Sequence, residues 1–151
     1  MQAREKKLME ADNMLVSGQY AGALAALRGL VEISEEKRKF APDDFNWQIL
    51  LLVRIQRVYK SLTGAVPKPL ENLTRYYEIV ARNHPGGEVS LSREEAIICA
   101  GTLDSLPEVG ADNTVVPADA GVERDLVNGI LRLLDQNKDK YKLGVYYRKG
   151  F

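Results

Sequence analysis

The sequence predicts an all-α domain of about six helices, arranged as antiparallel helical hairpins. Three observations carry this expectation. Apolar residues recur at helical spacing in one segment after another, Gly or Pro punctuates the joints, and Ser92-Arg93-Glu94-Glu95 forms a helix-starting capping box.

The first hairpin spans helices predicted at about residues 2–17 and 19–35. In the second, Tyr20, Ala23, Leu24, Leu27, Leu30 and Val31 fall at i, i+3, i+4, i+7, i+10 and i+11, the stripe that faces a core. Leu8, Ala11 and Leu15 keep the same period in the first helix. Gly18 accepts the positive φ that ends one helix and reverses the chain. Ala11 and Ala23 are small enough to let the two axes approach closely.

Pro42 and the acidic pair Asp43-Asp44 open a third helix at about 45–62, the most apolar of the set. Trp47, Leu51, Ile55, Val58 and Leu62 form one stripe, and Ile49, Leu50, Leu52, Val53 and Tyr59 widen it beyond half the circumference. A helix so apolar needs contacts on two sides. It is expected at the centre of the fold, or with one apolar face kept for a partner. Arg54, Gln56, Arg57 and Lys60 make its polar strip, read as a solvated face with a basic groove as the alternative.

Gly64 ends that helix. Pro69 suits the first turn of a fourth, at about 70–82, with Leu70, Leu73, Tyr77 and Val80 on one face. Helix five runs from about 93 to 106. Gly101 inside it costs roughly 1 kcal/mol relative to Ala, which points to close packing against another backbone. Residues 107–118 have no helical period and read as a long loop, a mobile segment or a contact surface. Its acidic Glu108 and Asp112 do not match a calcium-loop spacing. A sixth helix, at about 119–136, places Val122, Leu126, Val127, Ile130, Leu133 and Leu134 on one face. These elements make one helical domain over residues 1–137. The remainder, 138–151, is a basic tail interleaved with Tyr141, Tyr146, Tyr147 and Phe151.

Composition narrows the function classes. A chain of 151 residues is long enough for one well-packed domain. Lys and Arg balance Asp and Glu at 21 each, so no global field steers it to nucleic acid or membrane. No run of apolar residues is long enough to span a bilayer, and the N-terminus lacks the apolar centre of a signal peptide. The expectation is a soluble, intracellular, cytoplasmic protein. The single Cys99 lies in an apolar run and reads as a buried hydrophobe ahead of a nucleophile. The single His84 sits in a helix-ending turn without partners at metal-ligand spacing. Phosphate-loop, nucleophile-elbow and zinc-binding motifs are all missing. Asp43/Asp44 and Glu94/Glu95 sit at helix starts, where capping explains them. The chain is read as a non-enzyme with no cofactor and no metal.

Ala11, Gly18, Tyr20 and Ala23, with Leu24 and Leu27 behind them, resemble the tetratricopeptide repeat. In that family a small residue, a Gly turn, an aromatic and an Ala stand in this order. The resemblance covers about residues 4–34, with a looser second unit at 45–85. It departs from the family at Lys7 and Leu8, where an aromatic is usual, and at Ser34–Lys37, where a Pro usually closes the repeat. The resemblance implies an interaction module that holds a partner protein in a groove lined by its first helices. The positions it implies are Asp12 and Leu15 on helix one, with Arg54 and Arg57 on helix three. The Lys/Asn set with which some members clamp a peptide C-terminus is not visible.

The favoured expectation is therefore a protein–protein interaction module: an adaptor, a chaperone-like protein or an assembly subunit. The tail leaves three readings open. Its Tyr141, Tyr146, Tyr147 and Arg148 suit a partner-docking arm. The same basic and aromatic composition suits nucleic-acid or ribonucleoprotein association. The tail also fits a segment folded back on its own domain.

Overall fold

The computed structural model describes residues 2–84 and 86–141. Among these residues six helices and two minimal sheets alternate: α1 (Ala3–Val16), α2 (Tyr20–Leu30), β1 (Lys39–Phe40), α3 (Pro42–Thr63), α4 (Lys68–Arg82), β2 (Val89–Ser90), α5 (Arg93–Asp104), β3 (Glu108–Val109), β4 (Val115–Val116) and α6 (Ala120–Gln136). The fold is all-α, as the periodicity predicts. No helix among the described residues is long and apolar enough to cross a membrane.

The joints follow from local chemistry. At the end of α1, Gly18 has φ +78°, its N–H donates to the Leu15 carbonyl, and the Gln19 N–H reaches back to Met14. These two bonds satisfy carbonyls that the helix end leaves open and turn the chain at once. Ala11 and Ala23 are fully buried, and α1 and α2 share the most extensive contact of any pair of elements. Gly64 repeats the left-handed ending after α3, again at φ +78°. At the start of α5, the Ser92 hydroxyl accepts from the Glu95 N–H at 3.1 Å, and the Glu95 carboxylate accepts from the Ser92 N–H at 3.0 Å.

Helix α2 ends at Leu30, five residues short of its expected end. Val31 is extended, Ile33 turns into the core, and a turn closed between Ser34 and Lys37 follows. The buried Gln48 side chain accepts the Glu32 N–H at 3.1 Å and so supports the extended backbone. This path delivers Lys39 and Phe40 to an antiparallel pairing with Ser90 and Val89. The segment expected as a loop at 107–118 instead holds the β3–β4 hairpin. Its turn carries Asn113 at φ +66°, and the Asn113 amide donates to the Gly18 carbonyl at 3.3 Å. The hairpin is thus tied to the turn between α1 and α2.

The centre of the fold is α4, where α3 was expected. Nine of its fifteen residues are buried, among them Tyr76, Tyr77, Ile79 and Val80, and it packs against α3, α5 and α6. Helix α3 buries Phe45, Leu51, Leu52, Ile55, Val58 and Tyr59 on one side and leaves Val53 and Arg57 outside. Helices α5 and α6 run antiparallel. Glu94 pairs with Arg132, Ile98 lies over Gly129, and Gly101 faces Leu126. Gly101 does not meet another backbone: the atom nearest to an added Cβ is a Leu126 methyl at 3.8 Å.

Candidate interaction surface

Helices α1 and α3 run in the same direction and are spanned by two ion pairs. Near their starts, Arg4 meets Asp44 at 2.9 Å and lies over the Trp47 ring at 4.7 Å. Two turns along α1, Asp12 receives both Arg54 Nε at 2.8 Å and Nη2 at 3.2 Å. The planar guanidinium fits the carboxylate as a fork, which fixes orientation as well as distance. Asp12 and Arg54, both implied as partner contacts, are therefore brought together and satisfy each other.

The other expected site residues divide. Leu15 is buried against the core and offers nothing to a surface groove. Arg57 is exposed and, among the described residues, has no ion-pair partner. Tyr141 is buried, with its ring edge-on to Tyr76 and to His84. Its hydroxyl donates to Glu95 at 3.4 Å, so this first residue of the aromatic set belongs to the packed body. Tyr146, Tyr147 and Arg148 lie outside the described residues.

Periodicity named Val53 on the apolar surface of the third helix but did not single out Met9 and Val16, the exposed apolar side chains of α1 beside the Asp12–Arg54 pair. Met9 and Val16 stand three residues before and four after Asp12, on the same face of α1, with exposures of 48% and 87%. Val53 is 43% exposed on the flank of α3 that also carries Arg57. Around it opens a cleft of about 510 Å³ lined by Val53, Gln56, Arg57, Lys60, Val66 and Glu71, with Gly64 and Ala65 at the turn. Lys60 Nζ donates to the Gly64 carbonyl at 2.9 Å, and Gln56 donates to the Thr74 hydroxyl at 2.7 Å. Glu71 is held between Lys68 and Arg75.

The titratable groups of the interior form a separate, packed cluster. Glu95 accepts from the Tyr76 hydroxyl at 2.6 Å, and Asn137 donates to that same hydroxyl at 3.4 Å. Burial, and then the Glu95 charge, push the Tyr76 and Tyr141 phenols far above their ordinary range. Cys99 is fully buried, and burial raises its thiol to about 12, far from the thiolate a nucleophile requires. His84 Nδ1 lies 2.8 Å from the Val80 carbonyl, a helix-ending contact. Among the described residues no three His, Cys, Asp or Glu side chains are grouped to hold a metal. No protein-family model, curated protein or solved structure matches the chain.

Proposed function

We propose that the protein is a non-enzymatic protein–protein interaction module, an adaptor or assembly subunit that holds its partner on the outer face of α1 and α3. One observation carries this reading: Met9, Val16 and Val53 are exposed beside a charged pair that already satisfies itself. Apolar side chains ringed by polar groups suit an association surface, where their removal from water contributes most of the affinity. The Asp12–Arg54 fork then holds the spacing of the two helices, a pre-organisation that lowers the ordering cost of binding. The helical-hairpin resemblance at residues 4–34 supports the same reading.

Crosslinking in native extract, followed by mass spectrometry of the adducts, tests it. The expected result is a discrete partner protein crosslinked to residues of α1 and α3. Recovery of intramolecular crosslinks alone, from a protein that purifies as a monomer, would overturn it.

A further inference from the structure

We infer that the cleft beside Val53 receives an acidic, aliphatic segment of the partner, with its carboxylates on Arg57 and Lys60 and an apolar side chain over Val53 and Val66. This rests on the interaction reading above and names the chemistry of the partner. Two observations support it. In sequence, Val53, Gln56, Arg57 and Lys60 fall at i, i+3, i+4 and i+7, so one exposed stripe of α3 carries both an apolar side chain and two cations. In space, the same four residues line the cleft that the α3–α4 turn closes with Ala65 and Val66.

In a chain that is neutral overall, the cleft lining carries two cations, Arg57 and Lys60, against one carboxylate, Glu71. From Phe45 to Leu70 the sequence holds Arg54, Arg57, Lys60 and Lys68 and no acidic residue. Asp12 neutralises Arg54, and Glu71 is shared by Lys68 and Arg75. Arg57 and Lys60 remain to meet charge from outside, Lys60 turning from the Gly64 carbonyl to do so. An anionic ligand fits these cations, and charge complementarity of this kind selects partners and speeds encounter. The apolar lining favours a peptide over a nucleic acid. The tyrosines of this region, Tyr59, Tyr76 and Tyr77, are buried, so no described aromatic ring at the cleft offers a base a stacking platform.

Selection from a random displayed peptide library against the full chain tests the inference. Enriched peptides are expected to combine Asp or Glu with Leu, Ile or Val. A resynthesised, labelled winner should bind saturably and weaken at least about tenfold against the R57E/K60E variant and with rising salt. V53D should weaken it too, while R93E, on α5, should not. Circular dichroism confirms that each variant keeps its helices, and R57A serves as the milder substitution. Enrichment without acidic residues, or winners indifferent to R57E/K60E, would overturn the inference and leave the broader interaction reading to the crosslinking result. Displacement of the winner by oligo-dT or heparin as readily as by unlabelled peptide would also overturn it, in favour of a general polyanion surface.

Discussion

Arg54 grips Asp12 with two parallel hydrogen bonds, 2.8 and 3.2 Å long, and so joins the first helix to the third across 42 residues of sequence. The side chains are 23% and 37% exposed, which places the pair between a solvated ion pair and a buried one. A D12A/R54A double-mutant cycle in urea should give a coupling of about 0.5–1 kcal/mol, smaller in high salt. R54K should recover only part of it, since an ammonium cannot reproduce the fork. A coupling of zero would mean that this pair contributes nothing to joining the two helices, leaving Arg4–Asp44 as the ion pair between them.

Asn72 lies fully buried in α4 with neither amide atom hydrogen-bonded among the described residues. An unsatisfied buried amide costs stability that an apolar side chain of similar size does not. N72L is therefore expected to raise unfolding stability by about 1–2 kcal/mol, and N72D to lower it by burying a charge. Urea midpoints of the two variants check both signs.

Gly101 illustrates a feature of the sequence that packing does not require. An added Cβ would sit 3.8 Å from one Leu126 methyl, an ordinary contact. G101A should then stabilise α5 by about 0.5–1 kcal/mol through backbone entropy alone. A loss of stability in thermal unfolding would show that the two helices sit closer than this geometry allows.

Alkaline pH should unfold the protein in a defined window. Burial raises the Cys99 thiol from its ordinary value of 9.0 to about 12, and the Tyr59 phenol from 10.0 to about 12. Each folded value lies above the unfolded one, so both contributions are fully present below pH 9 and are lost as pH rises towards 12. Tyr76, Tyr77 and Tyr141 are raised in the same direction. Urea midpoints should hold steady to about pH 8 and then fall. In C99A the first part of that fall, between the thiol and phenol ranges, should flatten. An unchanged slope in C99A would contradict the assignment.

Much of the helical framework was legible because its signals are local. The apolar period, the left-handed glycines at 18 and 64 and the Ser92–Glu95 capping box each act within one or two turns of chain. What sequence reading missed depends on distant chain. Strands of two residues have no period to detect, and β1 exists only because Ser90 and Val89 arrive beside Lys39 and Phe40. The central place of α4 comes from α3 and α6 packing on it, which its own thirteen-residue pattern did not announce against the more apolar α3. Asp12 and Arg54 were expected among the contacts to a partner protein, and only the tertiary geometry reveals that they pair with each other. Val16, isolated in sequence, acquires meaning from lying beside that pair.

Site-specific photo-crosslinking would place a partner directly on the outer face of α1 and α3. A benzoylphenylalanine placed at Val16 or at Val53, both exposed on the proposed face, should capture the same discrete protein from native extract. The same probe at Val122, equally apolar and 41% exposed on α6, should not. No adduct at Val16 or Val53, or an identical diffuse set at all three positions, would mean that no partner docks on this face.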